Sequence, residues 1–159
     1  MDYNMEIECL LRPVHRYVRK ERFVMVLNQL LGKNFVKVDV KEFNDVRMDG
    51  DFIWNDVWNV LKCRGKGGYN HIPGIIKMLG FGGGVVVDNE VYQKLVLRFL
   101  VVQDNWRRRV KDERVYFLPL RFVVLMIMKE FGVVFDYYIP LVRNNLKLER
   151  LLLYWNKIC

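Results

Sequence analysis

The stretch DNEVYQKLVLRFLVVQDNWRRR, residues 88–109, has the pattern of an amphipathic helix. Its apolar residues Leu95, Phe99 and Val102 recur at helical spacing and therefore share one face. The aspartate and the asparagine at its start can cap the first turn, and the arginines at its end complement the helix dipole. The stretch therefore predicts a helix with one apolar face.

Helical spacing also appears in four other stretches, and a glycine follows three of them. A glycine at such a position can end a helix because it adopts a left-handed backbone conformation without a steric penalty. The last of the four has lysine and arginine opposite an apolar stripe. These patterns predict helices over residues 13–31, 54–64, 120–131 and 148–155.

The strand patterns are shorter than the helical ones. Valine alternates with charged residues over 36–41, which predicts a strand with one buried face. Runs rich in β-branched and aromatic residues predict further short strands at 85–87, 115–118 and 133–139. Because 159 residues suit one hydrophobic core, we expect residues 1–159 to form a single α+β domain, compact and helix-rich with a small sheet.

The amino-acid composition is unusual, since the chain contains no alanine, serine or threonine. These residues together make up roughly a fifth of an average chain. Nearly all of their codons carry C at the second position, so a message depleted of C explains the three absences together. Such depletion is typical of a small organellar genome or an edited organellar transcript. We therefore expect a protein made in the mitochondrion (matrix side) or in another organelle; an artificial protein built from a restricted alphabet is the alternative.

The beginning of the chain agrees with an organellar origin. The segment MDYNMEIE is acidic and has neither the arginine-rich pattern of a transit peptide nor the apolar core of a signal peptide. An organelle-encoded product needs no such presequence, although a processed protein would look similar. The longest uninterrupted apolar run, 122–128, is too short to cross a bilayer, so we also expect no transmembrane segment.

The charge of the chain favours an anionic partner. A net charge of +8 and a pI of about 9.5 are typical of proteins that bind RNA or DNA, and sometimes of proteins that bind anionic membranes. Three segments combine cations with aromatic residues or glycines, and cations so arranged can contact successive phosphates. The predicted RNA-binding residues are Arg12, Arg16, Arg19, Lys20 and Arg22 in the first segment, Lys62, Arg64, Lys66 and Tyr69 in the second, and Trp106, Arg107, Arg108, Arg109, Lys111 and Arg114 in the third. For each segment the alternative is an ordinary solvated helix face or surface loop.

Motifs for catalysis, metals and nucleotides are weak. The cluster GFGGG at 80–84 departs from the dinucleotide-binding spacing, and a chain without serine and threonine has neither a hydroxyl nucleophile of that kind nor a complete P-loop. Asp45, Asp49 and Asp51 could hold Mg²⁺, but Asp49 followed by Gly50 is more simply a turn. The cysteines are three and widely spaced, which suggests neither a disulfide framework nor a zinc site. We therefore expect no enzymatic activity, no cofactor and no metal.

Composition and charge together predict a structural component of an organellar ribosome, which binds ribosomal RNA and neighbouring protein subunits of a large assembly. One alternative is a peripheral structural subunit of an organellar respiratory complex, since the apolar stretch 117–139 would serve protein contacts equally well. Another alternative is a nucleic-acid enzyme, such as an intron-encoded nuclease that uses Asp45, Asp49 or Asp51.

Overall fold

A computed structural model of the chain describes residues 20–33, 37–82, 85–109, 117–141 and 145–159. Within these ranges 66% of the residues are helical. The helices, numbered here in chain order, are α1 (Lys20–Leu30), α2 (Ile53–Arg64), α3 (Ile72–Met78), α4 (Asn89–Arg109), α5 (Leu120–Glu130) and α6 (Asn145–Ile158), with short 3-10 helices at Val40–Phe43 and Tyr69–His71. The predicted helices over 54–64, 88–109, 120–131 and 148–155 are confirmed, as is the part of 13–31 that the structure describes.

The prediction of an α+β domain with a small sheet is wrong, because the described ranges contain no strand. The alternation at 36–41 fails as a strand because Asp39 accepts a hydrogen bond from the backbone N–H of Lys41 at 3.0 Å and so caps the first 3-10 helix. Residue 36, and residues 115 and 116 of another predicted strand, lie outside the described ranges. Residues 85–87 and the described part of 115–118 are irregular rather than paired.

The strand predicted at 133–139 is also absent from the described ranges, although burial alternates along this segment. Phe135, Tyr137 and Ile139 are half-buried, whereas the residues between them are exposed. The segment packs on α2 through an aromatic contact, with Tyr137 packing on Trp54 at a ring-centroid distance of 6.4 Å. Alternating burial at every second residue here marks an extended segment that packs on helices without forming a strand.

The larger hydrophobic cluster is formed by α1, α4, α5 and α6. Phe23 stacks on Phe99 with ring centroids 4.4 Å apart, and both side chains are fully buried. Five residues further along α1, Asn28 accepts a hydrogen bond from the hydroxyl of Tyr92 at 3.1 Å. Because the residue number rises along α1 while it falls along α4, the two helices are antiparallel.

The second hydrophobic cluster lies between α2, α3 and the first 3-10 helix. Its centre is formed by Ile53, Val57 and Leu61 on one side and Ile72 on the other, all buried. Ile139 packs against both clusters and so connects them. In the described part of the chain, no helix combines the length and the apolar character that a membrane span requires.

Candidate nucleic-acid interface

The end of α2 and the glycine loop after it form the most distinctive surface, which we call the aromatic–basic patch. The patch consists of Trp58, Lys62, Arg64, Lys66 and Tyr69. Helix α2 ends because Gly65 adopts a left-handed conformation, with φ at 73°, and donates its N–H to the carbonyl of Leu61 at 3.1 Å. The chain then turns back through two further glycines with positive φ, and the next 3-10 helix brings Tyr69 against α2.

Two aromatic rings form the centre of the patch. The ring of Tyr69 packs on that of Trp58 with centroids 5.7 Å apart and the planes tilted by 31°. Trp58 is half-buried, and Tyr69 remains 39% exposed. The ammonium group of Lys62 lies 5.1 Å from the centroid of the Trp58 ring, within the range of a cation–π contact. Tyr69 therefore presents an exposed ring that packs on the half-buried indole of Trp58.

Two more cations lie in the same stretch of chain as Lys62. Lys62 and Lys66 are exposed. Arg64 is half-buried, and its Nη1 lies 3.7 Å from Oε2 of Glu42. Its Nε is buried, and no acceptor for it is found among the described residues. The patch thus holds three positive side chains against one carboxylate.

The glycine loop leaves its backbone open. A Cβ added at Gly65 or Gly67 would meet no atom within 4 Å. A ligand can therefore approach the main chain at these positions without displacing a side chain, while the N–H of Gly65 itself is bonded to Leu61. Of the four residues predicted in the second segment, Lys62 and Tyr69 both contact Trp58, the Arg64 guanidinium lies beside Gly68, and Lys66 is exposed in the loop between them.

The described cations of the first and third segments meet at a different place, one end of the antiparallel pair α1–α4. Lys20 and Arg22 are exposed in the first turn of α1, and Arg108 and Arg109 are exposed in the last turn of α4. The antiparallel packing places these two turns at the same end. Five of the cations predicted for these two segments lie outside the described ranges: Arg12, Arg16, Arg19, Lys111 and Arg114.

Several side chains at this end have partners within the protein. Trp106 is buried in the larger cluster, where it packs edge-on against Phe117 at 5.4 Å, so its ring is not at the surface. Arg108 pairs with Asp104 one turn earlier, and Arg107 is half-buried. Arg109 donates from Nη1 to the carbonyl oxygen of Lys157 at 3.2 Å and so caps the end of α6. This end is therefore a weaker candidate for RNA contact than the aromatic–basic patch.

The aspartates considered for a metal site are exposed turn residues. Oδ1 of Asp49 accepts the backbone N–H of Asp51 at 2.8 Å, as in an Asx turn. Asp45 is exposed in the preceding loop. Across the described ranges, no group of three histidine, cysteine or acidic side chains is arranged to hold a metal ion.

One member of the aromatic–basic patch, Trp58, carries no clear signal in the sequence. Trp58 lies in the predicted helix 54–64 but is not among the predicted RNA-binding residues; it is half-buried and supports Tyr69. The spacing from Trp58 to Lys62 is the one that places side chains one above the other on a helix, so a cation–π pair could have been predicted.

Strongly shifted pKa values occur outside the patch. The hydrogen bond from the Arg47 guanidinium lowers the pKa of Asp56 to about 2, against a smaller opposing effect of desolvation. Burial, and secondarily the charge of Asp136, raises the pKa of Tyr137 to about 12. Burial also raises the pKa of the Cys159 thiol. The first of these shifts belongs to an ion pair and the other two to partly buried groups.

The comparisons with known proteins identify no match. The chain matches no protein-family model, no curated protein and no solved structure. Function is therefore inferred from the geometry and chemistry of the aromatic–basic patch.

Proposed function

We propose that the protein is a structural component of an organellar ribosome and that it binds ribosomal RNA through the aromatic–basic patch, in the mitochondrial matrix or in the equivalent compartment of another organelle. The observation that carries the proposal is the exposed ring of Tyr69, which packs on Trp58 beside Lys62, with Arg64 and Lys66 close by in the chain.

The chemistry of the patch suits unpaired RNA. A base stacked on an aromatic side chain contributes about 1–3 kcal/mol to binding, and every base offers such a face once it is outside a helix. The neighbouring lysines and the open glycine backbone can contact the phosphates on either side of that base. A regular RNA duplex offers phosphates but no free base face, so it would use only part of the patch.

The organellar location is supported by a separate observation. The chain lacks alanine, serine and threonine, which agrees with a message depleted of C. A net charge of +8 also suits a protein that is surrounded by RNA in a ribonucleoprotein particle. The protein would then act by holding RNA in place and would contact neighbouring protein subunits in the same particle.

The test is the affinity of the full chain for an RNA hairpin with an unpaired loop, compared with a blunt duplex of the same stem, over a series of salt concentrations. Three phosphate contacts in a single strand predict a slope of log affinity against log salt of about −2. We expect the hairpin to bind more tightly than the duplex. Binding that is absent, insensitive to salt, or equal for both RNAs would contradict the proposal.

A second measurement addresses the assembly. In a gradient of organelle extract, the proposal predicts that the protein sediments with ribosomal particles and moves to the top of the gradient after RNase digestion. Sedimentation with a respiratory complex, unchanged by RNase, would favour the alternative of a respiratory subunit.

A further inference from the structure

The face of α4 that points away from the core carries a regular stripe of exposed and half-buried side chains. Its members are spaced alternately by four and three residues, the spacing of a seam along which two helices pack. The core-facing residues Leu95, Phe99 and Val102 lie on the opposite side of the helix. We call this set the α4 outer stripe: Glu90, Lys94, Leu97, Val101, Asp104 and Arg108.

The centre of the α4 outer stripe is apolar. Leu97 is 61% exposed and Val101 is 48% exposed. Leu100, beside them, is also exposed, so the three form a continuous apolar surface on the outside of the protein. A cluster of this kind, bordered by charges, is typical of an interaction site rather than of scattered surface residues.

Each end of the α4 outer stripe carries one positive and one negative side chain. Near its start, Nζ of Lys94 lies 3.3 Å from Oε1 of Glu90. Near its end, Arg108 forms an ion pair with Asp104. All four side chains reach solvent, with Arg108 the most exposed of the second pair.

The order of these residues is symmetric about Phe99. Leu97 and Val101 each lie two residues from it, Lys94 and Asp104 five, and Glu90 and Arg108 nine. If two copies of the helix pack antiparallel, every member of the stripe on one copy faces a complementary member on the other. Leucine faces valine, lysine faces aspartate, and glutamate faces arginine. Such self-complementarity is what a two-fold symmetric interface requires.

We propose that the α4 outer stripe is a dimer interface, in which α4 of one copy packs antiparallel against α4 of a second copy of this chain. Each end of the interface then brings Glu90 and Lys94 of one copy together with Asp104 and Arg108 of the other, a group without net charge. A parallel arrangement would instead place glutamate on glutamate and arginine on arginine. The interface shares no residue with the aromatic–basic patch and does not depend on RNA binding.

The size of the interface sets its expected strength. A helix of 21 residues is about 31 Å long, so one helix pair buries less area than the ~1,200–2,000 Å² of stable complexes. We therefore expect reversible association with a dissociation constant on the order of 10 µM, which makes the dimer dependent on concentration.

The test is sedimentation equilibrium of the full chain, freed of RNA, over a range of protein concentrations. Glu90→Arg makes the charge group at both ends of the dimer positive, and Arg108→Glu makes it negative, so each variant should dimerise about tenfold or more weakly. An equal mixture of the two variants, or the double variant E90R/R108E, restores neutral groups at both ends and should recover most of the wild-type association. The mixture would not restore neutrality in a parallel dimer, where the altered side chains face different partners.

The apolar centre is tested separately. Leu97→Asp places two carboxylates near the two-fold axis and should reduce association by more than tenfold. The matched control is Leu153→Asp on α6, since Leu153 is 66% exposed and lies outside the stripe; this variant should dimerise like the wild type. A wild-type protein that stays monomeric at ~1 mM, far above the expected dissociation constant, would overturn the proposal. The proposal would also be overturned if the mixture of single variants associated no better than either variant alone. Equal effects of Leu97→Asp and Leu153→Asp on association would overturn it as well.

Discussion

The turn that precedes α2 requires a glycine for a reason that its sequence does not show. A Cβ added at Gly50 would lie 2.6 Å from the carbonyl oxygen of Asp136, closer than side-chain carbons approach any oxygen. The carbonyl oxygen of Gly50 also accepts the backbone N–H of Tyr138 at 2.8 Å. The substitution Gly50→Ala therefore forces the segment that contains Asp136 and Tyr138 away from the turn.

The cost of this substitution follows from the two contacts. The clash is with a main-chain atom, which cannot rotate away as a side chain would, and overpacking of this kind costs about 1–3 kcal/mol. Loss of the hydrogen bond between Tyr138 and Gly50 adds about 0.5–1.5 kcal/mol. We expect Gly50→Ala to lower the free energy of unfolding by about 2–4 kcal/mol.

The assay is urea unfolding followed by tryptophan fluorescence, to which Trp54 contributes because it packs on Tyr137 in the displaced segment. The control is Gly80→Ala. Gly80 has φ at 80°, so alanine is strained there by about 1–2 kcal/mol, but its Cβ would meet no atom within 4 Å. If Gly50→Ala destabilises the protein less than Gly80→Ala, the close packing of the extended segment on the turn is refuted.

Two further predictions concern the core and the response to acid. Phe99→Ala removes a fully buried ring that stacks on Phe23 and should lower the free energy of unfolding by about 3–5 kcal/mol. The control is Leu153→Ala at an exposed position, which should change the free energy of unfolding by less than about 0.5 kcal/mol. Equal effects of the two substitutions in urea unfolding would contradict the described core. Asp56→Asn weakens the pair with Arg47 and should cost about 1 kcal/mol at neutral pH. The pKa of Asp56 is lowered from 3.8 to about 2, so its contribution to the free energy of unfolding is complete above pH 4 and is lost as the pH falls toward 2. The unfolding curves of wild type and variant should therefore converge over that interval. A constant difference between them would contradict the ion pair.

The helices could be predicted from the sequence because their signals are local. The spacing of apolar residues and a following glycine are sufficient for α2, which ends at Gly65 as expected, and for α5, which is followed by Gly132 with φ at 72°. The sheet could not be predicted correctly because a strand exists only when a second strand pairs with it. In 133–139 the alternation is present, but aromatic anchoring on the helices replaces strand pairing.

The candidate site was only partly predictable for the same reason. Composition was sufficient to select Lys62, Lys66 and Tyr69. It could not show that Trp58 supports the tyrosine, because that contact depends on how the glycine loop folds back on α2. Composition also selected Trp106, whose ring is buried, since a tryptophan beside arginines has the same pattern in a core helix and in an RNA contact.

In the proposed function, Tyr69 is the stacking platform for an unpaired base. The measurement that tests it most directly is the affinity of the Tyr69→Ala variant for the hairpin RNA, with Tyr138→Ala as the control because Tyr138 is 63% exposed and lies outside the patch. Loss of one stacked base should weaken binding about tenfold while the salt slope stays the same, because the cations remain in place. Equal affinities for the two variants and the wild type would contradict the claim.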